Sequence, residues 1–169
     1  ISMHKLPQVV IYDSSLLMDE CEVLDGQRNG FIIEHHSEAN IKNTFISRHT
    51  YPQIWVDRES IVDLLCVQLL DSKESDIYVQ NNSRLYANNC IIHNKHFQYS
   101  IQAINHSTIE LANSFIESPY DDCYLQENNS IISSSLFFAG IIISANSSAC
   151  FSINFLSASF VFCSLTLFM

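Results

Sequence analysis

Glycine is almost missing from this chain, with three residues in 169. Neither a GxGxxG nor a Walker-type stretch occurs, so glycine-rich phosphate loops are excluded. Basic residues are scarce too: eight Lys and Arg stand against eighteen Asp and Glu, for a formal net charge of -10. They are scattered from Lys5 to Lys95 and form no patch, which argues against a nucleic-acid backbone as the main partner. Charged residues make up only 15% of the chain, and none follows Glu127. The N-terminus, "ISMHKLPQVV", lacks the basic-then-apolar build of a signal peptide. It does not begin with Met, so the expectation is a single domain over residues 1–169 that is a piece of a longer chain.

What is present is repetition. Ser15, Ser37, Ser60, Ser83, Ser107, Ser130 and Ser148 recur at a spacing of about 23 residues, which shortens at the last step. The flanking columns recur with them. Six residues before each anchor stand Val9, Phe31, Ile54, Ile77, Ile101, Tyr124 and Ile142, and four before stand Ile11, Ile33, Val56, Val79, Ala103, Gln126 and Ser144. Two after come Leu17, Ala39, Val62, Leu85, Ile109, Ile132 and Cys150, and eight after come Val23, Phe45, Gln68, Ile91, Phe115, Phe138 and Leu156. Six after, at a bend, stand Cys21, Asn43, Cys66, Asn89, Asn113, Leu136 and Asn154. Within each unit the apolar positions alternate with a period of two, the signature of strands.

A unit of this size holds about three short strands and three bends, and like positions must stack at about 4.8 Å. The expectation is an all-β parallel solenoid in which the bend Asn residues hydrogen-bond along the axis. Coil length, bend Asn ladder and aliphatic stacks resemble the right-handed parallel β-helix superfamily, the pectin-lyase-like proteins, over nearly the whole chain. The segment "RESIVDLLCVQLLD", residues 58–71, also reads as an amphipathic helix, but the column match assigns it to a strand pair. The uncharged tail "FSINFLSASFVFCSLTLFM" reads as a further coil, with a membrane-associated segment as the lesser alternative. No polar cap follows it, which leads to the expectation of a capping or end-to-end partner there.

Alternation places the fifth and third residues before each anchor on an outer face. Trp55 and Tyr78 should be stacked neighbours there, with Glu34, Asp57 and Gln80 beside them. A flat aromatic surface beside carboxylates and amides suits the apolar face and hydroxyls of a sugar. The resemblance implies enzymes that cleave acidic polysaccharides with clustered Asp residues, or with Ca²⁺ plus a basic residue. Glu34 and Asp57 have the composition of a glycosidase pair, and Asp121–Asp122 superficially matches a polygalacturonase site. The accompanying Gly-His-Gly and Arg-x-Lys patterns are absent, as are the pectinesterase and pectate-lyase signatures.

His35, His36, His93 and His96 have no zinc-ligand spacing, and no cofactor is called for. His36, Glu59, Asn82 and His106 share a bend column. The six Cys show no CxxC pair, and buried free thiols are the simplest reading, with Cys66 and Cys90 as neighbours. Asn-x-Ser sequons at Asn81, Asn105, Asn128 and Asn146 each ride two residues before a repeat Ser. They read as a by-product of the repeat.

The functional expectation is a non-catalytic module that binds carbohydrate or protein on its lateral face, as in the passenger domains of surface adhesins. A polysaccharide-degrading enzyme and an intracellular scaffold are the alternatives. An extracellular or cell-surface setting is slightly preferred over the cytoplasm.

Overall fold

A computed structural model describes residues 5–118, 120, 123–138 and 141–145. It is a parallel β-solenoid of about five turns with coils of about 23 residues and no helix among the described residues. The first coil contains β1 (Val9–Tyr12), β2 (Ser15–Asp19) and β3 (Glu22–Leu24). The second contains β4 (Phe31–Glu34), β5 (Glu38–Lys42) and β6 (Phe45–Ser47), and the third β7 (Ile54–Val56), β8 (Ile61–Leu65) and β9 (Gln68–Leu70). The fourth contains β10 (Ile77–Gln80), β11 (Arg84–Asn88) and β12 (Ile91–His93), and the fifth β13 (Ile101–Ile104), β14 (Thr108–Ala112) and β15 (Phe115–Glu117). Then follow β16 (Tyr124–Gln126), β17 (Ile131–Phe138) and β18 (Ile141–Ala145).

Through β17 every third strand joins the same sheet. The first sheet runs β1-β4-β7-β10-β13-β16, the second β2-β5-β8-β11-β14-β17-β18, and the third β3-β6-β9-β12-β15. Residues 58–71 form the strand pair β8 and β9, as the column match requires.

The register confirms the central column: Val9, Phe31, Ile54, Ile77, Ile101 and Tyr124 are successive partners. Phe31, Ile54, Ile77 and Ile101 are fully buried. Ile41, Leu64, Leu85, Ile109 and Leu111 supply the second sheet's inward face, and Val23, Ile46, Leu69 and Ile92 the third's.

Two columns shift from their expected places. In the first coil the bend after β1 has one left-handed residue, Asp13, where later coils have two (His35–His36, Arg58–Glu59, Asn81–Asn82). That coil therefore runs one residue short. Leu16, not Leu17, faces Ala39, and Leu17 is left 73% exposed. On the third sheet the eight-after residues Phe45, Gln68, Ile91 and Phe115 face outward, and the core column stands one residue later.

The bends solve the problem that scarce glycine poses. Nineteen described non-glycine residues have φ between 46° and 64°, and eight are Asn, three Asp and three His. These types tolerate the left-handed region best, yet a non-glycine residue there still costs about 1–2 kcal/mol. Thirteen of the nineteen donate their backbone N–H to a carbonyl of the next coil. His36 N donates to Arg58 O, Glu59 N to Asn81 O, Asn82 N to Asn105 O and His106 N to Asn128 O, at 2.9–3.0 Å. Leaving this bend, the Ser anchors take over. Ser14, Ser37, Ser60 and Ser107 N donate to the hydroxyls of Ser37, Ser60, Ser83 and Ser130 at 3.0–3.2 Å. The repeat Ser is thus a buried acceptor for the preceding coil's amide.

The axial amide ladder runs at this same bend, not in the six-after column. Asn81 Nδ2 donates to Asp57 Oδ1 at 2.7 Å, Asn105 Nδ2 to Asn81 Oδ1 at 3.0 Å, and Asn128 Nδ2 to Asn105 Oδ1 at 2.7 Å. In the six-after column Cys66 separates Asn43 from Asn89, so no continuous ladder forms there. The sequon residues Asn81, Asn105 and Asn128 are the rungs, and Asn146 lies outside the described residues.

The parallel winding stops at β17. β18 returns antiparallel to it, with Phe138 opposite Ile141 and Ser134 opposite Ala145. Ile142 and Ser144 therefore do not begin a seventh parallel coil, and Leu136 and Phe138 share one long strand. The expected tail coil and its end partner fall on residues 146–169, outside the described residues. Among the described residues no helix is long and apolar enough to cross a membrane.

Asn105 tests the ladder because it both donates and accepts within it at φ 56°. Asn105→Ala should destabilise by about 2–3 kcal/mol, combining two lost amide bonds with a left-handed alanine. Asn105→Gly loses the same bonds without the steric penalty and should cost less. Urea unfolding of both variants checks the order; equal losses would show that the backbone conformation carries no cost.

Candidate binding faces and a buried polar bend

On the outer face of the first sheet, Trp55 and Tyr78 are register partners, as expected. Their ring centroids lie 5.7 Å apart at 68°, an edge-to-face pair and not the flat platform that stacking implied. Both are half-buried, and the Trp55 indole Nε1 is buried without a hydrogen-bond partner. Burial, helped by the nearby Asp57 and Glu127 carboxylates, raises the Tyr78 phenol above its usual pKa. The hydroxyl stays protonated at neutral pH and can donate.

Glu34 and Asp57 are brought together through a residue that the outer-column pattern missed. Arg58 sits in the following bend at φ 54°. Its guanidinium reaches Glu34 Oε2 at 3.0 Å and the His35 ring, and its Nε lies 3.9 Å from Asp57 Oδ2. Asp57, only 7% exposed, also accepts from its neighbour's backbone, Arg58 N, at 2.7 Å and from Asn81. Both carboxylates are thus committed to a cation. Gln80 stands in the same outer column, half-buried and paired in register with Ile104. Tyr12 stacks on His35 at 4.2 Å and closes the strip at the first coil.

The second sheet carries an open groove of about 380 Å³, lined by residues of β5, β8, β11 and β14 with Tyr86 at its centre. The sequence offered no cue to it beyond alternation.

The third bend is different again: it buries polar groups. His49, Gln53, Ser72, Ser75, Asp76, Asn94 and Ser100 are all fully buried. His49 Nε2 lies 2.9 Å from Gln8 Oε1, and Gln53 Nε2 donates to Asp76 Oδ1 at 2.7 Å. Two of the three glycines are explained here. A Cβ on Gly26 would strike the His49 ring, and one on Gly30 would lie 2.7 Å from Gln53 O. Burial drives the imidazole pKa down to about 4, so the ring is neutral in the folded chain. Burial drives the Asp76 carboxyl well up, against the Gln53 hydrogen bond that lowers it.

Of the remaining sequence candidates, His36 and Glu59 pair across the bend at 3.5 Å, but both are well exposed. His93 lies between Glu117, at 2.7 Å, and Asp71, at 4.0 Å. Among the described residues no group of three or more His, Cys, Asp or Glu could hold a metal ion. Cys21, Cys66 and Cys90 are free thiols, whereas Cys123 is disulfide-bonded, which corrects the all-thiol expectation. Asp121 and Asp122 lie outside the described residues.

Comparison with known proteins returns no match among family models, curated proteins or solved structures. The coordinates alone therefore set the class of this chain, a parallel β-solenoid of about five turns.

The buried bend predicts opposite pH dependences. A His49 pKa lowered from 6.5 to about 4 contributes stability that is full above pH 6.5 and is lost as pH falls to about 4. That loss amounts to about 3 kcal/mol. Asp76, with its pKa raised, contributes stability at low pH that is lost as pH climbs above the ordinary carboxylate range. Denaturant unfolding across a pH series should show His49→Gln removing the acid-side loss and Asp76→Asn removing the loss at higher pH. Variants with the wild-type pH slope would contradict both buried groups.

Proposed function

We propose that this chain is a non-catalytic binding or adhesion module of the right-handed, pectin-lyase-like kind, recognising carbohydrate on the outer face of its first sheet. The observation that carries the reading is the in-register pair Trp55 and Tyr78 beside the Arg58-bridged carboxylates Glu34 and Asp57. An edge-to-face pair offers the carbon edge of one ring and the face of the other to a sugar's C–H surface. Gln80, the Arg58 guanidinium and the protonated Tyr78 hydroxyl supply polar groups for sugar hydroxyls or for a protein partner's backbone.

The degradative alternative asks one carboxylic acid to give up a proton and the other to accept one. Arg58 engages both carboxylates in ion pairs, and this supports binding over catalysis. A surface or extracellular setting accords with a lateral face built for display.

Trp55→Ala and Tyr78→Ala should each weaken oligosaccharide binding by about ten-fold or more, a loss of about 1.4 kcal/mol. Arg58→Gln should weaken it as well by freeing the carboxylates. A glycan array followed by calorimetry on any hit provides the measurement. A blank array for the wild-type chain would end the carbohydrate reading.

A further inference from the structure

The second-sheet groove has a different electrostatic logic. Asn40, Asp63, Tyr86 and Glu110 are successive register partners on β5, β8, β11 and β14, one per coil at about 4.8 Å. Two residues along the same strands, and so on the same face, stand Lys42 and Asn88, separated by Leu65. Tyr86 is half-buried between two exposed carboxylates, one on either side. Among the described residues neither the Asp63 nor the Glu110 carboxylate has a hydrogen bond or an ion pair. Glu34 and Asp57 on the first sheet have Arg58. Here the only cation in the groove is Lys42, so its lining carries a net negative charge.

An aromatic ring between two unneutralised carboxylates complements a cation. The ring face is the negative part of its quadrupole and attracts an ammonium within about 6 Å. Asp63 and Glu110 lie two strand spacings apart, so a cation above Tyr86 stands about 5 Å along the axis from each strand. The remaining groups suit a sugar. Asn40 and Asn88 offer amides to hydroxyls, and Asn88 Oδ1 already accepts from Asn113 Nδ2 at 3.3 Å. Leu65, 37% exposed, offers an apolar contact for a pyranose ring. The one-per-coil repeat of polar groups matches a ligand that is itself a repeat.

We infer that this groove binds a short oligosaccharide of amino sugars, with an ammonium group over Tyr86 between Asp63 and Glu110. The site shares no residue with the first-sheet strip and stands or falls apart from it.

The test is calorimetric titration of the whole chain with a glucosamine tetramer and with its N-acetylated counterpart, at a pH where the free amine is protonated. Acetylation removes the charge and keeps the sugar skeleton. The glucosamine tetramer should bind at least about ten-fold more tightly, and added salt should narrow the gap. Asp63→Asn with Glu110→Gln should abolish the preference, and Tyr86→Ala should weaken both ligands. All three changes are on solvent-facing side chains, and circular dichroism verifies that the fold persists. Equal binding of the two tetramers, or binding of neither, would overturn the inference. A tetralysine peptide that binds as tightly as the glucosamine tetramer would show that the groove reads charge alone and overturn the saccharide assignment.

Discussion

The hydrogen bond that most left-handed bend residues make to the next coil is the constraint on which the rest of the molecule depends. A coil this short must turn three times, and most of these turns take the backbone into the region where a side chain is disfavoured. Glycine would remove the local penalty, but glycine also loses the most entropy on ordering. This chain uses Asn, Asp, His and even Arg and Glu instead, and holds most of them by a bond from their own N–H to the neighbouring coil. No bend is stable alone; it forms only against the next. Cooperativity therefore runs along the axis.

That dependence explains why the register was legible in the sequence and where it was not. Phe31, Ile54, Ile77 and Ile101 recur because an inward position has no alternative to an apolar residue of similar size, so spacing alone located the column. The Ser anchors were legible as a period but not as a mechanism, since no pattern shows that a hydroxyl must meet the preceding coil's amide. The first coil misled because Asp13 does the work of two bend residues. A single deletion in a bend is silent in composition, yet it shifts everything after it by one and reverses which side chain faces the core. Leu16 and Leu17 are equally apolar, and only the bend decides between them.

The amide ladder was placed at the wrong bend for a related reason. Both bends that flank the second sheet are rich in Asn, and spacing cannot say which side chains point along the axis. Continuity decides, because a ladder needs an amide or carboxylate at every rung. Asp57, Asn81, Asn105 and Asn128 provide that, while Cys66 interrupts the other column. Arg58 is not legible in the pattern because it lies just past the outer column, in a bend, and a bend residue's reach cannot be read from alternation. The third bend was least legible of all. Its polar residues, from His49 to Ser100, are irregular in type, and irregular polar residues read as solvent-exposed loop although these are buried.

A solenoid separates what the core requires from what the surface displays. Inward positions fix register and stability; outward positions on the same strands are free to vary as long as they do not disturb the ladder between them. The strands also immobilise those outward side chains before any ligand arrives, so less ordering entropy is lost on binding. With one residue per coil per column, substitutions can compose an array of groups at about 4.8 Å intervals without rebuilding a loop. The two faces of this chain use that freedom differently. On the first sheet Arg58 bridges the carboxylates beside the aromatic pair, whereas on the second sheet Asp63 and Glu110 flank Tyr86 without an ion pair. Neither arrangement alters an inward residue, which is why one repeating core can support two differently organised surfaces.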